Sequence, residues 1–462
     1  MGNCRSIGFV STVPTADGDD APSAVINLPP SLRLPRALQT AAYLVDADRL
    51  MQWMVARHGP AFSMRIPGFG PAVVVSDPEL AKQIFTYSPD ALHGAEPNLS
   101  VVIGPGSTFG LQGAEHQRRR KMVVSAFRVQ RMKAFSGLLE EETVAACAQW
   151  PEDRQFPVLP TMLDIGLNAI LRVVFGARGD ELDALRPLVP GTIDAASRLA
   201  MLPWLHHDWG SRSPWARYLG QREALYEVLD QLIGEAQCDP DLADRQDVLA
   251  VLLQSVDDNG RTMSRREIAE ELLTFVGAGH ETTATTVSWS IERLRRHPDV
   301  LDRLVAEIDA GDSAYLDATI QEVLRVRPPV KAVARKVVAP SISLGPWVIP
   351  RGYTVVASVV LSHGNEGQFA DAQTFDPGRF MSSGPDPYAW IPFGGGGRRC
   401  PGAAFAHLEV GVILRTILRT FELQTTTGRP ERVQNRGVTF APGDGGLAVV
   451  RRRGADAVPM SH

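Results

Sequence analysis

"FGGGGRRCPG", residues 393–402, sets four consecutive glycines ahead of one cysteine and a proline. Glycine loses more conformational freedom on folding than any other residue, so such a run needs a backbone reason. Pro401 suits the first turn of a helix, and Ala403, Ala404, Leu408, Val412 and Ile413 continue with helical spacing. Cys400 is therefore expected to cap a helix N-terminus. Unpaired amides there, with Arg398 and Arg399 alongside, favour thiolate over thiol. Such a sulfur is an anionic ligand or a nucleophile. A nucleophile needs a positioned base, whereas a glycine-lined loop lets backbone approach something large and flat. A lone cysteine is more often a small buried hydrophobe, but the pattern Phe-Gly-x-Gly-x-Arg-x-Cys-x-Gly outweighs that reading.

The rest of the chain narrows the setting. Its 462 residues are 44% hydrophobic, ample for a large interior, and a net charge of -5 suggests neither a nucleic-acid binder nor an acidic tail. Four cysteines, Cys4, Cys147, Cys238 and Cys400, have no CxxC spacing, which argues against disulfides or structural zinc and for a reducing, cytoplasmic compartment. No stretch approaches the length needed to span a bilayer. Met1-Gly2-Asn3-Cys4-Arg5-Ser6 matches an N-myristoylation pattern, which short termini also reach by chance.

Periodicity gives the organisation. Residues 1–27 read as disordered, 28–450 as one domain and 451–462 as a flexible tail. Residues 38–58 have helical spacing, Phe62 to Ile66 and Ala72 to Val75 form a hairpin, and Asp77-Pro78 starts another helix. From about 115 to 325 the chain is helical, with Leu163, Leu167, Ile170, Leu171 and Val174 on one face before Gly176. Short strands return over 331–362. The expected fold is mainly α with a smaller β-rich portion drawn from both chain halves.

Ser264-Arg265-Arg266-Glu267 is a capping box opening a helix that runs to Arg296. Inside it lies "GAGHETTATT", residues 277–286, whose glycines and threonines weaken the helix in mid-length. Taken alone, the GxG reads as close helix packing with back-bonded threonines.

Together these segments resemble the cytochrome P450 family. Phe393, Gly394, Gly396, Arg398, Cys400 and Gly402 look like its haem-binding loop, and Ala278-Gly279-His280-Glu281-Thr282-Thr283 looks like its oxygen-activation segment. The resemblance implies haem b with Cys400 as the iron ligand, Phe393 beside the sulfur and Arg398 on a haem propionate. His116 and Arg120 in "GAEHQRRRKMVVSAF", and Arg335, would bind propionates as well. Glu281 and Thr282 would relay protons, Ala278 and Gly279 would leave room for O2, and His280 would be a bystander. Glu322, Arg325 and Arg379 resemble a buried structural triad, although Gly378 stands where the family often has Glu. Other three-apart pairs, Glu115–Arg118 and Glu292–Arg295, show that spacing alone is uninformative.

Further expectations follow from the same likeness. Arg118, Arg119 and Lys121 would form an outward basic patch for an acidic electron-transfer partner; the aromatics a nucleic-acid surface needs are missing. Substrate would be framed by 90–112, 201–205, Phe275 to Ala278, and Val330 to Ala334 including Val333, with Lys331 pointing outward in preference to pairing a substrate carboxylate, and 101–110 as an entry lid or equally a plain surface loop. The length leaves no room for a fused reductase, so electrons would come from a ferredoxin or flavodoxin with an NAD(P)H-dependent reductase. The implied activity is insertion of one atom of O2 into an apolar small molecule (lipid, sterol, terpenoid or polyketide) by a soluble, actinobacterial-type enzyme. The rivals are a haem-thiolate enzyme performing coupling or peroxide-driven oxidation, and a haem-based sensor.

Overall fold

Alternating burial builds the first hairpin: β1 (Ala61–Ile66) pairs antiparallel with β2 (Gly70–Val75), Phe62 opposite Val74. The turn uses Gly68 and Gly70 at positive φ. The computed structural model describes residues 25–454 except 96–103, 105, 177–178, 202–204, 208 and 383. Residues 101–103 and 105 of the expected lid and 202–204 of the substrate segment at 201–205 fall outside the described residues, as do Cys4 and the terminal motif.

Helix α1 (Arg36–His58) precedes the hairpin and carries a non-helical residue at Asp46. Helix α2 (Pro78–Thr86) follows it, capped by Asp77, whose carboxylate accepts from the amides of Glu79 and Leu80 at 2.9 and 3.1 Å. The sheet is completed by β3 (Leu92–Gly94), β4 (Ala332–Val337) and β5 (Thr354–Ser358) in the order β1-β2-β5-β4-β3, with β2 and β5 parallel. Strands some 280 residues apart in sequence thus share one sheet, as expected of a β portion assembled from both chain halves. The ordered chain exceeds its expected bounds at both ends: Asn27 bridges Val348, and Val450–Arg452 forms a strand against Phe421–Leu423.

The helical part is organised by one long element. After α3 (Gly113–Val124), α4 (Leu159–Phe175) and α5 (Asp180–Met201), helix α6 runs Arg265–Leu294. Its capping box closes as read, Ser264 accepting from the Glu267 amide while Glu267 accepts from that of Ser264. It ends two residues earlier than expected. α4 ends at Gly176 in the left-handed conformation, φ 67°. Helices α7 (Ala314–Val326) and α8 (Ala403–Thr420) complete the frame. One core joins α4, the first half of α6 and residues 225–236; another joins the second half of α6 to α7 and α8. α6 is therefore buried on most sides, and an open face on it is informative.

Candidate active site

The glycine–cysteine loop is shaped by a neighbour no sequence pattern announced. A Cβ on Gly395 would lie 2.2 Å from the Phe85 ring, and one on Gly396 only 1.9 Å from the Phe85 carbonyl oxygen. Two of the four glycines thus exist to admit the C-terminal turn of α2. Gly394, at φ 66°, lies under Val333 of β4. The loop closes when the Cys400 amide donates to the Phe393 carbonyl at 2.9 Å, and Phe393 stacks edge-on with Trp390.

Cys400 does not itself cap the helix; Gly402 does. Cys400 is exposed, although its thiol is desolvated by the protein atoms around it. Burial raises the thiol above its ordinary pKa, while the Gly402 amide, Arg120 and Arg399 pull it down. Of the expected anion-favouring groups an amide and Arg399 act on the thiol, Arg120 takes the place of Arg398, and desolvation outweighs them.

On the edge of the same loop lies a cationic cradle. His116 of α3 is buried, and its pKa is lowered to about 4 by desolvation first and then by Arg398, Arg120 and Arg335. Three guanidinium groups therefore surround one uncharged imidazole. Arg398 donates to the Leu111 carbonyl and the Gln112 side chain, both at 2.6 Å, and Arg120 donates to the Arg399 carbonyl. Arg335 is buried in β4.

The open face of α6 lies at Ala278, Glu281 and Thr282. Ala278 is exposed and its neighbours half-buried, whereas Ile268 to Val276 and Thr283 to Leu294 are buried. The Thr282 hydroxyl donates to the Ala278 carbonyl at 2.7 Å. Glu281 accepts from Arg436 at 2.6 Å, an ion pair reaching in from the turn between β6 (Val433–Asn435) and β7 (Phe440–Pro442). On the opposite side α6 presses on α4: a Cβ on Gly279 would meet Ile170 at 2.9 Å, and His280 bonds the Leu163 carbonyl at 3.1 Å. The packing reason for Gly279 is real.

Behind the loop, Glu322 and Arg325 of α7 pair at 2.6 and 2.7 Å with almost no exposure. Arg325 also donates to the carbonyls of His363, Ala372 and Thr374, and Arg379 reaches Glu322 at 3.3 Å. The other three-apart pairs do not form as spaced: Arg118 pairs with Asp257, and Glu292 pairs with Arg293 and Arg296.

Three expectations are corrected. The outward basic patch is reduced: Arg119 turns inward, 1% exposed and paired with Glu267 and Glu271, while Arg118 and the exposed Lys121 are neutralised by Asp257 and Asp258. Lys331 turns to Asp48 at 2.5 Å and lies 4.2 Å over the Phe440 ring, because a carboxylate and a ring face are within reach. Phe275 is 6% exposed and packs edge-on against Phe127, 4.9 Å away, in the core. Val330 and Val333 are half-buried and Ala332 exposed.

Several residues at the site escaped sequence reading. Phe85 and Arg436 carry no local signal, since their partners lie hundreds of residues away. Glu409 of α8 is buried with one hydroxyl partner, Thr283, beside Thr282, and burial pushes its pKa up to about 8. A lone glutamate on an otherwise apolar helical face was the available clue.

The comparisons agree with this geometry. The family model for cytochrome P450 matches residues 38–448. A Mycobacterium tuberculosis protein named cytochrome P450 138 is 49% identical over 429 residues, covering 93% of this chain and 97% of its own length. Cytochrome P450 135B1 of the same organism is 37% identical over 435 residues, 92% of each chain. Among solved structures, retinoic-acid-bound cyanobacterial CYP120A1 superposes with a TM-score of 0.80 at 22% identity, covering 93% of this chain and 100% of that one. A loop that presents one desolvated cysteine, a long helix with one open face and this likeness over nearly the full length lead to one assignment: the chain belongs to the cytochrome P450 family and is a haem-thiolate monooxygenase of bacterial, actinobacterial type.

Proposed function

We propose that residues 28–450 form one catalytic domain in which Cys400 holds haem b and one atom of O2 is inserted into an apolar small molecule of the lipid, sterol, terpenoid or polyketide class. The observation that carries this is the loop that holds Cys400, closed by its amide on the Phe393 carbonyl, with the Gly402 amide, Arg120 and Arg399 all favouring its thiolate. A buried thiol kept above its ordinary pKa by desolvation, with an amide and two arginines already favouring its anion, suits a site awaiting a metal cation. The cradle suits the same group. His116, uncharged among Arg120, Arg335 and Arg398, gives an electrostatic environment made for carboxylates at the edge of a flat ligand. The residues fit haem.

When bound, haem supplies the one-electron and O2 chemistry that amino-acid side chains lack. This chain's residues do the rest. Cys400 donates electron density through its sulfur. Phe393 screens that sulfur, and Gly394 and Gly402 keep side chains clear of it. Ala278 leaves space on the open face of α6, where Thr282 holds a hydroxyl proton. Glu281 delivers protons toward that hydroxyl, and its pair with Arg436 must open for it to do so. Glu322, Arg325 and Arg379 brace the segment from 363 to 379 beneath the loop.

An apolar substrate is supported by Val330, Ala332 and Val333, and by the withdrawal of Lys331 to Asp48, which removes the one cation of that stretch. Electrons are expected from a ferredoxin or flavodoxin and its NAD(P)H-dependent reductase. A cytoplasmic location is part of the same proposal, supported by Cys147, Cys238 and Cys400 as free thiols. The test is titration of the ferric protein with one compound of each class while recording the haem absorption spectrum. A high-spin shift with one class identifies the substrate type. Replacing Thr282 by Ala should divert reducing equivalents to peroxide; unchanged product yield in Thr282→Ala together with no shift for any class overturns the reading.

A further inference from the structure

The stretch leading into α3 is tied down at both ends. At one end the Glu271 carboxylate, 0% exposed on α6, accepts from the Thr108 amide at 2.7 Å and from the Thr108 hydroxyl at 2.8 Å. Beside it Glu270 accepts from the Gly106 amide at 2.7 Å. The approach is so close that a Cβ on Gly106 would lie 2.5 Å from that carboxylate. Arg119 locks the knot: it pairs with Glu267, reaches Glu271 at 3.2 Å and donates to the Gly106 carbonyl at 3.2 Å. At the other end the Leu111 carbonyl and the Gln112 side chain receive Arg398, and Gln112 also accepts from the Gly94 amide. Helix α3 starts at the next residue and presents His116 and Arg120.

Residues 106–112 are therefore an arch between the long helix and the cysteine loop. Its α6 end rests on charge-assisted hydrogen bonds in a dry environment, the strong kind. Its other end meets the cradle. We propose that Glu271 and Arg119 are positioning residues for that cradle: by fixing the arch to α6 they hold Leu111 and Gln112 against Arg398, and so set Arg398, His116 and Arg120 in register with Cys400. Neither residue faces the cofactor, and each acts through the arch. The reading of Arg398, His116 and Arg120 as haem-binding groups underlies this.

The environment of Glu271 explains why so small a knot matters. Burial drives its pKa up to about 7, against the pull of Thr108 and Arg119. Facing it and its neighbours are Arg119 from α3, Glu267 and Glu270 from α6 itself, and Tyr226 and Arg222 from the helix Pro214–Gln237. The carboxylate stays only because its partners are complete. Removing one should loosen the arch locally rather than unfold the protein.

The experiment compares Thr108→Val and Arg119→Lys holoenzymes with the parent. Amide exchange over 106–112 is followed by mass spectrometry, and haem loss by transfer to apomyoglobin. Thr108→Val forfeits a charge-assisted bond, so exchange over 106–112 and haem transfer should each quicken by about tenfold, with exchange in α7 and α8 unchanged. Arg119→Lys, which keeps the charge and loses the fork, should fall between the two. Exchange at 106–112 within twofold of the parent in both variants overturns the proposal, as does acceleration spread evenly over the chain. A protein that purifies without haem or without a thiolate-type spectrum instead overturns the cofactor reading, and the exchange arm still reports on the arch.

Discussion

Two buried arginine–glutamate clusters flank the haem site, and they were not equally visible. Glu322 and Arg325 sit three apart on one helix, so a single turn of α7 brings them together. Arg119 and Glu271 are 152 positions apart and meet only because α3 crosses α6. Both clusters are dry and both bond backbone as well as charge, but the Arg119 Nε has no hydrogen-bond partner among the described residues. The α7 pair was legible from the family resemblance of its flanking sequence and of Arg379, not from spacing. Arg119, by contrast, reads as part of a solvated "RRRK" run, since nothing in that run distinguishes the arginine that turns inward. Local spacing offered several candidate pairs of which only this one forms, and pairing across elements left no signal at all, even where it is as deeply buried.

The comparison can be broken by removing its arginines. Arg325→Met should be the most damaging, about 5 kcal/mol of stability, because it strands Glu322 and releases three carbonyls. Thermal denaturation and the haem-to-protein ratio would show it. The next effect tests a carboxylate with no cation at all. Glu409, held at about 8 by burial, keeps its proton in the folded state while the unfolded chain releases it near 4.5. Its contribution is thus fully present below pH 4.5 and is lost as pH rises through 8. Glu409→Gln should flatten that decline, leaving the variant up to about 4 kcal/mol more stable than the parent at pH 9, measured by urea denaturation across pH.

Arg119→Met should cost less than Arg325→Met, about 2 kcal/mol, because Glu271 can take up a proton where Glu322 is held by several donors. Equal losses in the two variants would erase the distinction between the clusters. The smallest effect belongs to the half-exposed pair. Lys331→Met should shift stability by less than about 1 kcal/mol, since Asp48 stays hydrated when its partner goes. A large loss there would mean that the Phe440 contact matters more than the charge.

Much of the architecture could be read from the chain. The switch from helical to alternating spacing located the first hairpin, Asp77-Pro78 and Ser264 to Glu267 marked helix starts, and Gly176 marked a stop. The cysteine loop was legible because its chemistry demands fixed residues at fixed places. What stayed hidden depended on side-chain direction. Phe275 lies one turn from Ala278 on the same helix, yet one packs against Phe127 and the other faces open space. Lys331 read as outward because Asp48 and Phe440 come from opposite ends of the chain. The glycines at 395 and 396 were read as serving the cofactor, and Phe85 is the nearer reason.

That contact bears on how the protein is made. Phe85 leaves the ribosome well before Gly395 and Gly396, against which it must close, have been added. At bacterial elongation rates the gap is roughly half a minute. During that interval α2 presents its Phe85 turn with no surface to cover it, and Cys400 does not yet exist. A site that depends on Cys400 therefore cannot form before this joint can close, because the same loop supplies both.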